Sequence, residues 1–470
     1  MKRTPVPLFG LGNFSRSRPV NSQRRINLYS EVSNDPERGS RITLYTPPGL
    51  TSFTTYGAEP SRGVFSKGDF KYYVNRNTLW RESNDGVRVN VGTLLTSGGI
   101  VGMRDNGTQL MIVDGTFGYI FTFSTNTLVQ ITAPGFPANP TSVAYLNLRF
   151  GVTSAGTGQY QWSAINSGLT WNALDFATEE SNPDDLVRIW SETGQFILFG
   201  KNTTGFAGAT QNSDAAFGAI GASAIEFGLA ARWSVAKFDE SIIFLSKNRL
   251  GGVQVSVLSG YTRQTVSNAD IETLFSGYRG QENATAFSYR EFGHTFYQIS
   301  FPAENVTWVY DGKSQEWHEV QSGGGQHRAQ FHVSHQNKNY VTDYANGNTY
   351  ILDRNALTDN GAQIRRSWVG RHLFKGNESR LAELWLDIES GVGAVSGQGV
   401  DPQLMMRISK DGGRTWGAES WAAFGQMGAY KTRAIFRRLG RSGPAGDWLF
   451  EFTVTDPVNV TFASAYARFE

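Results

Sequence analysis

The chain has 470 residues, no cysteine and a formal net charge of +2. That composition excludes disulfide staples and thiolate metal sites, and it excludes a general electrostatic attraction to nucleic acid. No apolar run approaches the ~18 residues that span a bilayer, and the opening M-K-R-T-P-V-P-L-F-G lacks the apolar core of a secretory leader, so a soluble protein made in a cytoplasm, without membrane insertion, is expected.

Glycine (53 residues) and aromatic residues (13%) are abundant, while charged residues reach only 18%. Glycine serves turns and aromatics suit pleated surfaces, so the composition points to an all-β chain. Residues 1–45 read as a loop-like basic arm, with eight Lys or Arg, including Arg16, Arg18, Arg24 and Arg25, against Glu31, Asp35 and Glu37. Over 46–355, short alternating runs turn at recognised dipeptides. The run 70–74 turns at Asn75-Arg76-Asn77 and returns through 78–81. The run 109–113 turns at Asp114-Gly115, 306–310 at Asp311-Gly312, and 339–343 at Asn346-Gly347. One window, 268–277, has Ala269, Ile271, Leu274 and Phe275 at helical spacing. Hairpins recurring at roughly 40–50 residues match propeller blades, and about six are expected. After a polar, basic stretch at 356–380, five strand patterns follow at 383–389, 403–409, 431–438, 448–455 and 460–467. They suggest a β-sandwich-like domain over 356–470.

Residues 409–416, S-K-D-G-G-R-T-W, match the Asp-box S-x-D-x-G-x-T-W through Ser409, Asp411, Gly413, Thr415 and Trp416. The carboxylate can bond backbone amides across a turn, glycine supplies a conformation other residues resist, and tryptophan packs beneath. A weaker copy, A-I-N-S-G-L-T-W at 164–171, keeps Asn166, Gly168, Thr170 and Trp171. The motif also occurs in glycosidases, away from their catalytic centre, and here it explains its own hairpin. A sialidase-like or glycan-binding propeller is the alternative. It would need converging arginines and carboxylates, and no local signature marks them. Glu179-Glu180 and Asp184-Asp185 lie in a polar loop and read as solvated. His327, His332 and His335 cluster, but a strand would send His332 and His335 to opposite faces, so no metal or other cofactor is expected. Gly323-Gly324-Gly325 has no phosphate-binding helix behind it.

Several segments are carried in a recognisable order: R-R-I-N-L-Y-S-E at 24–31, L-Y-T-P-P-G-L at 44–50, W-N-A-L-D-F-A-T-E-E-S-N-P-D at 171–184, F-I-L-F-G-K-N-T-T-G at 196–205, W-V-Y-D-G-K-S-Q-E-W at 308–317, and R-A-I-F-R-R-L-G at 433–440. Together they resemble the packaged-DNA stabilisation (head-completion, tail nozzle or hub) proteins of short-tailed phages. The doubled proline Pro47-Pro48 departs from the pattern, as does Gly205, where an acidic residue is expected. The resemblance implies a non-enzymatic structural subunit of the virion tail. Six copies would form a ring below the portal and its adaptor ring, extend the DNA channel and help retain the genome. Double-stranded DNA would pass through without sequence-specific contact, and a tail needle or plug and fibres or spikes would dock there. The basic arm 1–45 would then pack on or between subunits, and Arg433, Arg437 and Arg438 join Arg16, Arg18, Arg24 and Arg25 as candidate interface residues.

Overall fold

The computed structural model describes residues 4–9, 24–35, 39–179, 184–212, 215–220, 224–371, 373–374, 377–443 and 447–470. It is an all-β chain that divides into two compact units. A propeller unit comprises Ser52–Tyr289 and Arg328–Ile351. A sandwich unit comprises Met1–Thr51, Arg290–His327 and Leu352–Glu470.

Among the described residues seven up-and-down meanders succeed one another. Their first strands begin at Ser61, Gly102, Pro140, Leu186, Ala236, Thr285 and Ala329. Spacing therefore runs from 38 residues (102 to 140) to 50 (186 to 236). Seven is one more than the spacing suggested. The seventh meander (Ala329–His335, Lys338–Asp343, Thr349–Asp353) takes its fourth strand, Gly49–Thr54, from the other end of the domain, so its sequence reads as an incomplete repeat. The expected turns are present. Asn75 pairs with Thr78 across a two-residue turn in which Arg76 has φ 50°.

Alternate side chains of the middle strands pack in opposite directions. Leu110 and Ile112 join Tyr72, Val74 and Leu79 of the first meander, while Met111 and Val113 join Phe150, Val152 and Trp171 of the third. The same division places Phe196 and Leu198 against Tyr160 and Trp162, and Ile197 and Phe199 against Ile242 and Phe244. Strands buried on both faces must be apolar throughout, which is why Q-L-M-I-V and Q-F-I-L-F-G lose the alternation of a half-buried strand. Each such side chain contributes about 1.5–3 kcal/mol on burial. The expected helix is Ala269–Ser276, started by Asn268, whose side chain accepts a hydrogen bond from the Ile271 amide at 2.9 Å.

The sandwich unit packs two sheets. One orders Tyr29–Asp35, Gly39–Tyr45, Thr461–Phe469, Arg380–Ile388 and Ala434–Arg441, with Thr4–Pro5 added to Thr461–Phe469. The other carries Arg25–Ile26, Arg366–Val369, Asp447–Val454, Gln403–Ser409 and Ser420–Ala423. Leu384, Leu386 and Phe436 of the first meet Met406, Trp448, Phe450 and Phe452 of the second. All five predicted C-terminal strands are present. The described part of 1–45, read from sequence as loop, contributes strands to both sheets. Its partners lie more than 300 positions away in several cases, and two- or seven-residue pieces carry too little alternation to announce themselves.

Candidate functional site

The segment R-R-I-N-L-Y-S-E enters the sandwich unit as a wedge between strands. Ile26 pairs in parallel with Glu319, while Arg25 and Ile26 pair antiparallel with Trp368 and Ser367. Strand pairing then stops at Asn27, whose φ of 53° is a left-handed conformation that asparagine tolerates. Its side chain replaces the lost ladder. Asn27 Nδ2 donates to the carbonyls of Gln321 (3.2 Å) and Arg365 (2.9 Å), and Oδ1 accepts from the Gln321 amide at 2.9 Å.

Charge fixes the wedge. Arg24 donates to both oxygens of Glu319, at 2.6 and 2.7 Å. Arg25 is buried and donates from Nη2 to Glu316 Oε2 at 2.8 Å. Burial lowers the Arg25 pKa, and the Glu316 carboxylate opposes that shift. Further along, the Tyr29 ring meets His294 edge-on at 5.2 Å. His294 Nε2 lies 3.3 Å from Glu31 Oε1 and Nδ1 lies 2.8 Å from Asp311 Oδ2. Asp311 also caps its own turn, accepting from Lys313 N (2.9 Å) and Ser314 Oγ (2.6 Å). Two segments that carry the family resemblance, 24–31 and 308–317, thus converge on one another through Arg25 and Glu316. Arg24 and Arg25 direct their charge at carboxylates of the same chain; Arg16 and Arg18 lie outside the described residues.

The C-terminal arginines project from the Ala434–Arg441 edge of the first sheet and from the residues before it. Arg433 Nε is 3.0 Å from Asp387 and Arg437 Nε 3.4 Å from Glu383, with both side chains more than half exposed. Arg468 reaches the same Glu383 at 3.7 Å. The strand pairing slips between Leu381 and Glu383, and Arg438 sits at that irregularity with φ 58°, exposed to solvent. These residues form a solvent-facing ladder of alternating charge.

The Asp-box forms the loop of a hairpin in which Met405 pairs with Trp421. Asp411 accepts from the Arg414 amide (3.0 Å), the Thr415 amide (2.9 Å) and Thr415 Oγ1 (2.6 Å). Ser409 donates to Asp411 at 2.7 Å and accepts from Gly413 N at 2.8 Å. Hydrogen bonds from Thr415, and then from Ser409, hold the half-buried Asp411 carboxyl well below the usual range. Gly413 has φ 86°. Trp416 is half-buried rather than packed beneath the turn, with the Arg407 guanidinium 5.7 Å over its ring. In the weaker copy Trp171 is buried and its Nε1 donates to Gly168 O at 2.7 Å. Thr170 Oγ1 accepts from Ser167 (3.1 Å), and Asn166, with φ 52°, makes the turn.

Among the described residues, the candidate catalytic and metal-binding side chains are engaged separately. Asp184 accepts from the Thr203 amide at 2.9 Å and caps a turn; Asp185 pairs with Lys201; Glu180 lies outside the described residues. His332 meets Asn339 at 3.0 Å and His335 meets Ser66 at 2.8 Å. His327 is 3.2 Å from Gln298. No group of three His, Asp or Glu among the described residues is placed to hold a metal. Gly205 is explained sterically: a Cβ there would lie 2.3 Å from the Glu179 carboxylate.

Sequence reasoning missed a buried ion cluster in the propeller unit. Glu82 and Arg88 are 2.6 Å apart and Lys71 Nζ lies 3.6 Å from Glu82, with all three side chains almost inaccessible. Lys71 stacks over Phe53 and Tyr340 at 4.7 and 4.3 Å, tying the first meander to the seventh. Lys71 and Arg88 alternate with apolar residues and Glu82 stands between Arg81 and Ser83, as solvent-facing residues would, so no local signal marks them.

No curated sequence matches the chain. Among solved structures, a streptogramin B lyase is similar at 8% identity and a TM-score of 0.44, over 70% of this chain and 98% of that one. The Pan2 WD40 domain of Neurospora crassa is similar at 8% and 0.42, over 65% and 94%. BamB of Moraxella catarrhalis is similar at 12% and 0.39, over 64% and 97%. The family models for bacteriophage P22 Gp10 match residues 9–357 (β-propeller) and 365–470 (β-sandwich) in order, and the chain accordingly belongs to the bacteriophage P22 Gp10 family of packaged-DNA stabilisation proteins.

Proposed function

We propose that the protein is the nozzle, or hub, of a short phage tail. Six copies close a ring under the portal and its adaptor ring, lengthen the DNA conduit and help keep the packaged genome in place. The ring offers attachment to a needle or plug and to fibres or spikes. It is assembled in the host cytoplasm and carried in the virion tail. The observation that carries this reading is the match of both family models, in order, along nearly the whole chain.

Physical features support it. The described histidines and acids that could have served catalysis or metal binding are engaged in turns, hydrogen bonds and packing, as a rigid spacer requires. The net charge of +2 suits a conduit, because a strongly basic lumen would release counterions on binding DNA and retard its exit. No described helix is long and apolar enough to cross a membrane. The test is to mix the purified chain with a portal–adaptor assembly and image the particles. Density of six-fold symmetry continuing the channel is the expected result. Failure to bind that assembly, together with hydrolysis of or specific binding to a saccharide, would replace this reading with the glycan-directed one.

A further inference from the structure

We infer that the cavity at the axis of the propeller unit is a binding site for a small aryl carboxylate, a single aromatic ring bearing one carboxylate group. The site belongs to one chain and does not depend on assembly into a ring.

The first strands of all seven meanders, with the residues leading into them, line one cavity of about 180 Å³. Each contribution comes from the first four residues of a strand or from just before it, so the cavity sits where these strands begin. The fifth to seventh meanders supply an aromatic wall: Trp233, Phe287, Phe331 and His332. The Phe287 and His332 rings stack with centroids 5.5 Å apart and planes 19° apart. The first and second meanders supply aliphatic and thioether surface through Val64 and Met103, both half-buried.

The fourth meander supplies Arg188, and among the described residues that line the cavity there is no carboxylate. Arg188 is held in place. Its Nη1 donates to the Arg232 carbonyl at 2.6 Å, and its guanidinium lies 5.1 Å from the Trp190 ring centre and 5.2 Å from that of Trp233. A planar guanidinium fixed in this way is suited to a carboxylate, which it meets through paired charge-assisted hydrogen bonds. His332 adds no charge at neutral pH, because burial lowers its pKa to about 4, and its Nε2 lies 3.0 Å from Asn339.

An apolar cavity into which a few polar groups converge is the usual form of a small-molecule site. A cavity of about 150 Å³ holds benzene, so this one has room for a ring and a small substituent, and Arg188 sets the sign of that substituent. A polyol is a poor fit. The Ser142 hydroxyl is engaged by Thr153 Oγ1 at 2.6 Å and by the Ile189 amide at 2.9 Å, so sugar hydroxyls brought against the aromatic wall would lose water without replacement.

The test is calorimetric titration of the full chain with benzoate, benzyl alcohol and glucuronate, joined to methyl NMR spectra of the methionine-labelled chain. Benzoate should bind once per chain with a Kd below about 1 mM. Benzyl alcohol, which lacks the charge, and glucuronate, which carries it on a polyol, should each bind at least about tenfold more weakly. The ring current of bound benzoate should shift the Met103 methyl, assigned through Met103→Leu, and leave that of Met427 in place. Arg188→Met should weaken benzoate at least about tenfold and leave benzyl alcohol unchanged. Val64→Phe fills the cavity while keeping the charge and should abolish binding of both. Absence of saturable benzoate binding to the wild-type chain overturns the inference. So does equal affinity for benzyl alcohol or glucuronate, or benzoate binding that leaves the Met103 methyl unmoved. These three results are read on the wild-type sequence, so the outcome does not hang on the folding of Arg188→Met or Val64→Phe.

Discussion

Arg24 and Glu319, separated by 295 positions in sequence, share two parallel hydrogen bonds of 2.6 and 2.7 Å. Next to them Arg25 and Glu316 make a second pair, but in a different environment: the Arg24 side chain is 49% exposed and that of Arg25 2%. The two arginines therefore differ in worth. Arg24→Ala should cost about 1 kcal/mol, since solvent screens and replaces much of the pair. Arg25→Ala takes a buried guanidinium away from the largely buried Glu316 carboxylate and should cost about 3–5 kcal/mol, whereas Arg25→Met with Glu316→Leu should recover most of the loss. Urea midpoints of the four proteins check the order; equal costs for the two single variants would refute it.

Gly205 and Glu179 form a compensated pair. An ideal Cβ at 205 would stand 2.3 Å from Glu179 Oε2 and 2.5 Å from its carboxyl carbon, and Glu179 is only 6% exposed. Gly205→Asp forces two carboxylates into one buried space, combining overlap with like-charge repulsion, and should destabilise by about 3 kcal/mol or more. Adding Glu179→Gly should return most of that stability. Calorimetric melting of the single and double variants decides; a double variant no better than the single one would show that Glu179 is not the obstacle.

How far these relationships could be read from sequence depends on how local they are. Asn268, Asp411 and Asn27 each sit within a short motif, but only for the first two does the motif contain the partner as well: the helix-capping amide of Ile271 and the box amides of Thr415 are three and four residues on. The five sandwich strands were legible because alternation such as W-L-F-E-F-T-V at 448–454 points one face at the core. Arg24 and Arg25 looked like free basic surface, since a carboxylate partner nearly 300 residues away leaves no trace beside them. The seventh meander was hidden for the same reason, its last strand being Gly49–Thr54. The Lys71–Glu82–Arg88 cluster shows a further limit: period-two patterning reports which face a residue is on, and cannot say that a neighbouring sheet covers that face.

The Asp-box carboxylate should behave as a pH-dependent clasp. Asp411 is held well below the usual carboxylate range by Thr415 and Ser409. A depressed native pKa means the stabilisation is complete above the unfolded value of ~3.9 and disappears as pH falls through the native one. At neutral pH Asp411→Asn removes the charge-assisted bonds, and exchange of the Thr415 amide should quicken by roughly tenfold. Hydrogen exchange read residue by residue is the measurement. The rest of Gln403–Ser409 should keep its protection, because its ladder with Asp447–Val454 does not involve the loop.

His318 gives the fold a distinct acid sensitivity. It is 3% exposed, and burial, reinforced by the nearby Arg25 and His294, pushes its pKa down to about 3. The unfolded imidazole titrates near ~6.5, so between those values the unfolded chain takes up a proton that the folded chain refuses. Stability contributed by the neutral ring is therefore complete above ~6.5 and falls as pH drops, by at most about 1.4 kcal/mol per pH unit. Between pH 6 and 5 most carboxylates remain ionised in both states, which isolates the histidine. Across that interval the wild-type chain should lose about 1 kcal/mol more than His318→Gln, measured by urea unfolding at each pH. Parallel slopes for the two proteins would mean that His318 is protonated within the fold, and that the Arg25 charge beside it is neutralised more fully than its pairing with Glu316 accounts for.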